Sequence, residues 1–368
     1  MIPVPPAIRR IPWKLIALLS AITGFGLLVL YSAAGGNLWP WAGQQGVRFL
    51  IFLGVMLAVG RLPLRFFQDF SYLGYIGVLI LLLAVELLGF VGGGSQRWLN
   101  LGFMNLQPSE LMKVAIVLAL ARFYTQLPPG ETRGWTALWP ALLLMGLPAA
   151  LVMLQPDLGT ALAICASGVI VMFVSGLPFW WFGGAAVAGA AALPILFSML
   201  HDYQQKRVLI FLDPESDPLG AGYHISQSKI AIGSGGIFGK GFLNGSQSHL
   251  DYLPEGHTDF IFATMAEEWG LVGGLGLLLG FFLLLRWSTR VALNARTRFG
   301  QLVATGLTMT IFFYIAINLM MVMGLAPVVG IPLPLFSYGG SSMLTIMTCI
   351  GIILAIDNDS KTGARRLH

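Results

Sequence analysis

Charged residues are scarce in this sequence. They make up 10% of the 368 residues, whereas 56% of the residues are hydrophobic and the mean hydropathy is positive. Soluble domains carry about 25% charged residues, since their surfaces must stay in water. The composition therefore excludes an ordinary soluble domain and predicts an integral membrane protein.

Cysteine is also nearly absent, and there is no dense run of basic residues. The two cysteines, Cys165 and Cys349, lie in separate apolar runs, so neither a disulfide framework nor a zinc site is supported. The net charge of +5 is scattered over many loops, a pattern that does not indicate nucleic-acid binding.

Long apolar runs dominate the chain instead. A helix needs about 17 to 25 apolar residues to cross roughly 30 Å of hydrocarbon. Ten runs meet this requirement: residues 14–34, 45–62, 72–91, 109–126, 137–155, 158–176, 179–199, 260–286, 301–325 and 340–357. The predicted fold class is all-α, a polytopic membrane protein of about ten transmembrane helices.

The lysines and arginines predict the orientation of these spans, because both residues accumulate in short cytoplasmic loops. An even number of spans places both termini on one side. If that side is the cytoplasm, 14 of the 21 basic residues are cytoplasmic. Four of the others belong to one long loop, to which the rule applies poorly. The sequence thus predicts a multi-pass protein with both termini in the cytoplasm.

One large extracytoplasmic loop, about residues 200–259, is predicted between the seventh and eighth spans. Its apolar stretches favour short helices packed on the membrane domain over disorder. Its segment "SGGIFGKGF" fails as a phosphate-binding loop, since Ser234 and Gly241 occupy the positions that need glycine and a hydroxyl. Two interpretations remain: turn glycines, or backbone amides that approach an anionic headgroup together with Lys240.

The fourth span begins with "QPSELMK", in which Glu110 and Lys113 lie three residues apart and share one helix face. Charged groups near hydrocarbon are costly and commonly mark a functional site. The alternative is a surface ion pair worth roughly a few tenths of a kcal/mol. We favour a functional pair, because both residues would lie near the outer membrane boundary.

Two further polar clusters lie near the predicted outer face. Asp157, in "QPDLGT", can cap the sixth span and oppose its dipole, or can contact substrate directly. Between residues 318 and 344, Pro327, Pro332 and Pro334 forbid a continuous helix. Irregular backbone at membrane depth is tolerated where it is buried or lines a cavity, so this segment is a candidate cavity wall.

Three acids stand at the start of the eighth span: Asp259, Glu267 and Glu268. On a continuous helix running inward from Asp259, Glu267 would lie about 12 Å deeper and roughly 80° around, and Glu268 about 180° around. We expect Asp259 to meet substrate at the water boundary, and the two glutamates to pair with other spans. The alternative for Asp259 is an acid favoured by the helix dipole.

Five motifs, in this order, resemble those of the SEDS family (shape, elongation, division and sporulation), most closely its rod-shape branch, RodA. The motifs are "LQPSELMK" (Leu106 to Lys113), "QPDLGT" (Gln155 to Thr160), "GKG" (Gly239 to Gly241), "LPEGHTDFIFATMAEE" (Leu253 to Glu268) and "GIPLPLFSYGGSS" (Gly330 to Ser342). The resemblance covers nearly the whole chain, residues 1–368, as a single membrane domain. The division branch, FtsW, and sporulation homologues are the alternatives.

The resemblance implies a peptidoglycan glycosyltransferase of the bacterial cytoplasmic (inner) membrane that acts during cell elongation. Its substrate would be lipid II, an undecaprenyl-pyrophosphate-linked disaccharide-pentapeptide, polymerised at the outer face. The family normally pairs with a class B penicillin-binding protein, and other membrane proteins of the elongation machinery are further expected partners. The family's essential aspartate falls on Asp259.

The chemistry of this transfer assigns roles to the candidate residues. Our hypothesis is that Asp259 accepts a proton from the acceptor hydroxyl or orients it. Lys113, Arg207 or Lys240 would stabilise the leaving pyrophosphate, and a divalent cation, Mg²⁺ or Mn²⁺, is a further candidate, whereas no nucleotide is expected. The remaining expected substrate contacts are Glu110, Asp157 and Ser341.

Two other function classes fit part of the sequence. A lipid II flippase would also recognise the precursor, but it needs a polar path to both faces, and the polar clusters here gather on the outer side. A secondary transporter would favour inverted repeats, and no convincing repeat is visible in the sequence. A non-catalytic scaffold for a transpeptidase would leave Asp259 unexplained.

Overall fold

The computed structural model describes residues 12–92, 95–100, 102, 105–128, 130–199, 202–213, 221–246 and 256–365. Parts of the predicted outer loop, residues 200–201, 214–220 and 247–255, lie outside the described residues. The predictions for the rest of that loop are compared with the structure below.

Helices make up most of the described chain. They are α1 (Trp13–Ala33), α2 (Trp41–Val59), α3 (Leu64–Asp69), α4 (Ser71–Leu88), α5 (Pro108–Gln126), α6 (Trp135–Leu154), α7 (Leu158–Val174), α8 (Phe179–Met199), α9 (Asp202–Leu212), α10 (Ala221–Ser234), α11 (Ile261–Asn294), α12 (Arg298–Val322) and α13 (Gly340–Arg365), with one 3₁₀ turn at Glu131–Arg133. Three short strands, β1 (Phe90–Gly92), β2 (Ser95–Asn100) and β3 (Asn105–Leu106), form an antiparallel sheet between α4 and α5. This small sheet was not predicted.

Each of the ten predicted spans coincides with a helix of the structure: α1, α2, α4, α5, α6, α7, α8, α11, α12 and α13. Six of them are long and apolar enough to cross a membrane by length and composition, namely α1, α2, α6, α11, α12 and α13. Helices α4, α7 and α8 contain shorter apolar segments. The chain is therefore a helical, polytopic membrane protein, as predicted.

Helix α5, which carries Glu110 and Lys113, lies at the centre of the bundle. It packs against α4, α6, α7 and α12, and α12 in turn contacts α11 and α13. Most of its residues from Pro108 to Ala121 are buried, on every side of the helix. A helix that is buried all round belongs to the interior, so its charged side chains must find partners on other helices.

Helix α11 is broken near its start, which corrects the prediction of one continuous helix from Asp259. Asp259 lies in a turn, the helix begins at Ile261, and Gly270 has non-helical angles of φ 62° and ψ −159°. Glycine has no Cβ and adopts positive φ at little cost. Asp259 lies in the turn before the short helix that carries Glu267 and Glu268, so the depth and angle predicted from a helix that starts at Asp259 do not apply.

Residues 235–241, named here the glycine clasp, satisfy the backbone groups that this break leaves open. Four hydrogen bonds join the clasp to α11: Lys240 N to Glu267 O (2.9 Å), Gly241 N to Glu268 O (3.0 Å), Leu271 N to Gly236 O (3.0 Å) and Val272 N to Ile237 O (3.1 Å). Buried backbone groups need such partners. The clasp therefore packs on the membrane domain, as expected for the outer loop.

The glycines of the clasp are required by close packing of backbone on backbone. A Cβ on Gly235 would lie 2.0 Å from the carbonyl oxygen of Ala266, and a Cβ on Gly239 would lie 2.1 Å from that of Glu268. The amides of Lys240 and Gly241 are already used. These two amides are therefore not available to an anionic headgroup, and an approach of the other backbone amides of this segment to such a headgroup stays a prediction.

Candidate functional site

The candidate site is built around the turn 256–260, which carries Asp259 immediately before α11. The side chain of Asp259 is part-buried. A Cβ on Gly330, which has φ +78°, would lie 3.4 Å from Asp259 Oδ2. The carboxylate therefore lies beside the proline-rich segment between α12 and α13, which was predicted to form a cavity wall.

Asn318 on α12 fixes the backbone of Asp259. Its Nδ2 donates to the carbonyl oxygens of Asp259 at 2.9 Å and of Ile331 at 2.8 Å, and its side chain is fully buried. One amide group therefore ties the Asp259 turn to the proline-rich segment. Asn318 was not predicted as a site residue; the available signal was an uncharged polar residue inside an apolar span.

The same turn is held from its other side through His257. The carbonyl oxygen of His257 accepts a hydrogen bond from Tyr338 N at 3.0 Å. Its ring stacks on Trp41, at the start of α2, with centroids 4.0 Å apart and planes 5° apart. The turn is thus positioned by α2, α12 and the proline-rich segment together.

Glu110 and Lys113 form a buried network with Tyr314 of α12. Lys113 Nζ lies 2.6 Å from Glu110 Oε1 and donates at 2.6 Å to the Tyr314 hydroxyl, which itself donates to Glu110 Oε2. Glu110 is 5% exposed and Lys113 is 0% exposed. This geometry excludes the surface ion pair, because neither charge is solvated. It also places the pair inside the bundle, where Lys113 already has an anionic partner.

Tyr314 and Asn318 connect this buried network with the Asp259 turn. They lie four residues apart on α12, so they share one helix face. One contacts the Glu110–Lys113 pair and the other the backbone of Asp259. The structure therefore joins two clusters that the sequence presented as separate motifs.

Asp157 is the N-cap of α7, as one of its two interpretations predicted. Its carboxylate accepts from Thr160 N at 3.1 Å and from Thr160 Oγ1 at 2.9 Å. Arg97 of β2 lies 3.5 Å from it, and Gln107 Nε2 donates to it at 3.2 Å. Capping thus accounts for Asp157, and its direct contact with substrate stays a prediction.

Ser341 lies next to the same network at the start of α13. Its hydroxyl accepts from the backbone amide of Gln107 at 3.1 Å and donates to the carbonyl of Asn105 at 2.8 Å. Gln107 therefore links Ser341 to Asp157. In this structure, Ser341 holds the segment before α5 against the proline-rich motif.

The other two predicted counter-charges also have partners. Lys240 Nζ lies 2.6 Å from Glu267 Oε1 and 2.8 Å from the hydroxyl of Ser246. Arg207 donates to the carbonyl oxygen of Val328 at 3.1 Å. The prediction that Glu267 pairs with another span is wrong, because its partner belongs to the clasp. Glu268 does accept a hydrogen bond from Ser32 of α1, as predicted for that residue.

The described residues contain no group of three or more His, Cys, Asp or Glu side chains that could hold a metal ion. A metal site made from the protein alone is therefore not formed within the described ranges. Mg²⁺ is often bound by one or two carboxylates together with substrate phosphates. Asp259 supplies one such carboxylate, which fits that mode of binding.

Comparison with known proteins identifies the family. The model of the FtsW, RodA and SpoVE cell cycle proteins matches residues 12–362. The peptidoglycan glycosyltransferase MrdB of Escherichia coli K12 is 46% identical over 350 residues, which cover 94% of this chain and 93% of MrdB. The peptidoglycan glycosyltransferase RodA of Treponema pallidum is 32% identical, with coverage of 94% and 97%.

Solved structures agree with this relationship. Rod shape determining protein RodA of Thermus thermophilus superposes with a TM-score of 0.71 at 32% identity, covering 94% of this chain and 96% of its own. A chain from a structure titled "Structural coordination of polymerization and crosslinking by a peptidoglycan synthase complex" superposes with a TM-score of 0.80 at 34% identity, covering 95% and 98%. The chain therefore belongs to the SEDS family of cell cycle proteins, and within it resembles the RodA branch, as its five motifs predicted.

Proposed function

We propose that this chain is a peptidoglycan glycosyltransferase that polymerises lipid II at the outer face of the cytoplasmic membrane during cell elongation. The observation that carries the proposal is the placement of Asp259. Its part-buried carboxylate lies beside Gly330, in a turn that Asn318, Tyr338 and Trp41 hold from three sides. A catalytic base needs this kind of fixed position.

The reaction requires one base and stabilisation of one leaving group. The acceptor sugar hydroxyl attacks the anomeric carbon of the donor, and Asp259 takes the hydroxyl proton as the new carbon–oxygen bond forms. The bond between the anomeric carbon and the diphosphate oxygen breaks, and the lipid diphosphate leaves with the bonding electrons. Direct displacement inverts the anomeric centre without a covalent intermediate, so a second carboxylate is not needed.

A divalent cation, Mg²⁺ or Mn²⁺, is part of the proposal. When bound, it would neutralise charge on the diphosphate. Asp259 is the residue that would hold it together with the substrate, which suits the oxygen ligands that Mg²⁺ prefers. In that case, the protein's own contribution is to orient this carboxylate through Asn318 and the His257 backbone.

A class B penicillin-binding protein is the proposed partner, together with other membrane proteins of the elongation machinery. The related structure titled as a peptidoglycan synthase complex supports this pairing. Both termini are proposed to be cytoplasmic, because the basic residues then follow the positive-inside rule. The Asp259 turn and the clasp would then face the outside, where lipid II is presented for polymerisation.

Asp259→Asn is expected to abolish glycan polymerisation, because the amide cannot accept the hydroxyl proton. The experiment uses the full chain purified with its cognate transpeptidase and supplied with lipid II and Mg²⁺, and glycan chains are resolved on gels. Asp213→Asn, an exposed carboxylate after α9, is the control and should polymerise normally. Normal polymerisation by Asp259→Asn would refute the catalytic assignment. Lipid II transfer across vesicles without any polymer would favour the flippase.

Asn318→Ala is expected to slow polymerisation at least about tenfold without weakening lipid II binding. The change removes the donor to the buried carbonyl of Ile331, a loss worth about 1–3 kcal/mol for an unsatisfied buried group. It also removes the donor to the part-buried carbonyl of Asp259 and so frees the Asp259 turn. Turnover and lipid II affinity are measured separately. Gln301→Ala is the matched control, since its amide donates to a backbone carbonyl near the opposite end of α12. Weaker binding at unchanged turnover would contradict the positioning role.

A further inference from the structure

We propose that Arg48 of α2 binds the diphosphate of the lipid-linked substrate. This inference rests on the proposed function and adds to the site a residue that was not among its predicted members. The guanidinium of Arg48 lies over the ring of Tyr338, with Cζ 4.7 Å from the ring centroid. Tyr338 in turn donates its backbone amide to the carbonyl of His257, two residues before Asp259.

Arg48 stands out among the basic residues around this site because its charge is not neutralised. Lys113 and Lys240 each lie 2.6 Å from a buried glutamate. Arg48 forms no ion pair and no hydrogen bond with the part of the chain that the structure describes, and its electrostatic contact is the face of Tyr338. Its five N–H donors are therefore available to a ligand.

The position of Arg48 within the membrane span favours an anion that is attached to a lipid. Arg48 follows Trp41, the first residue of α2, by seven positions, or about 10 Å along the helix axis. The ring of Trp41 stacks on His257, so this end of α2 is the end near Asp259. A cation inside a membrane span is costly unless it is paired. A diphosphate reaches this depth when its lipid tail lies in the hydrocarbon, whereas the pentapeptide lies farther out.

The surroundings of Arg48 suit a phosphate group. Tyr338 covers one face of the guanidinium and leaves the N–H edge, which is the part that binds phosphate oxygens in pairs. Tyr338 is itself fixed, because its hydroxyl donates to Gln44 Oε1 at 2.5 Å. Beside the guanidinium, a Cβ on Gly340 would lie 3.6 Å from Arg48 Nε. Glycine at this position keeps the space next to Arg48 open.

The test measures equilibrium binding to the purified full chain, without turnover. The probes are undecaprenyl pyrophosphate, undecaprenyl phosphate, undecaprenol and inorganic pyrophosphate. Arg48→Ala is expected to weaken binding of undecaprenyl pyrophosphate at least about tenfold, and to leave the weak binding of undecaprenol unchanged. Arg48→Lys, which keeps the charge but not the paired donors, should give an intermediate affinity and provides a second variant if the alanine variant folds poorly.

Arg290→Ala is the matched control, because Arg290 is an exposed arginine near the far end of α11. It should bind undecaprenyl pyrophosphate like the parent chain. Parental affinity in both folded Arg48 variants would overturn the inference, even if the glycosyltransferase proposal stands. A different result would be that Arg48→Ala weakens binding to vesicles of anionic phospholipid without weakening binding of undecaprenyl pyrophosphate. That result would assign Arg48 to a membrane headgroup and would also overturn the inference. If Asp259→Asn polymerises normally, the catalytic proposal fails independently of Arg48.

Discussion

Lys113→Ala is expected to destabilise the folded chain by about 3–5 kcal/mol, because it would leave the Glu110 carboxylate buried without its cation. Lys113 is 0% exposed and lies 2.6 Å from both Glu110 and the hydroxyl of Tyr314. Removing one partner of a buried ion pair destabilises the folded chain far more than removing a solvated charge does. The measurement is the midpoint of thermal unfolding in detergent, together with the fraction of protein that stays monodisperse.

Two further variants distinguish the loss of stability caused by an unpaired buried charge from a role of the Glu110–Lys113 pair in the reaction. Lys361 forms an i,i+4 ion pair with Asp357, and the side chain of Lys361 is 69% exposed. Lys361→Ala should therefore leave the midpoint of thermal unfolding nearly unchanged. The double change Glu110→Gln with Lys113→Met removes both buried charges and should recover much of the lost stability. Recovered stability without polymerisation would show that the pair also serves the reaction. Parental stability in Lys113→Ala would contradict the buried geometry.

Gly239→Ala is the second change with a large expected effect, because it disrupts the clasp that closes the break in α11. Gly239 has φ +79°, and a Cβ there would lie 2.1 Å from the carbonyl oxygen of Glu268. Positive φ alone costs about 1–3 kcal/mol for a residue with a Cβ, and the contact with backbone cannot relax by a side-chain rotation. The clasp should therefore detach from the helix that follows Asp259.

Detachment of the clasp can be measured directly. Limited proteolysis should cut Gly239→Ala within residues 235–246 far faster than the parent chain, and polymerisation should fall strongly. Gly233→Ala is the control, since Gly233 lies in α10 with nothing within 4 Å of an added Cβ. Alanine is a better helix former than glycine, so this control should be stable. Equal protease resistance in both variants would mean that the clasp is not held as described.

Much of the candidate site could be anticipated from local sequence. Glu110 and Lys113 are three residues apart, so their pairing follows from helix geometry alone. Asp157 precedes a helix, and its capping role is again a local effect. The proline-rich segment was predicted to be irregular because proline lacks an amide. In each case, the residues that decide the structure are neighbours in the chain.

The errors came from contacts between distant segments. Glu267 was expected to pair with another span, but its partner is Lys240 in the clasp. The break at Gly270 was missed, because a single glycine within an apolar run also fits a continuous helix. Asn318 was not recognised as a site residue, since its two acceptors are backbone carbonyls that any sequence would supply.

By itself, the sequence determined that this chain is a polytopic helical membrane protein and which polar motifs interrupt its spans. Hydrophobic length and local charge suffice for those conclusions, because each span must satisfy its own backbone in lipid. Only the tertiary structure decided which charges are paired. It buries Lys113 beside Glu110, pairs the solvent-accessible Lys240 with the buried Glu267, and leaves Arg48 on the face of Tyr338. Such pairings depend on how helices far apart in sequence pack together, which no local pattern records.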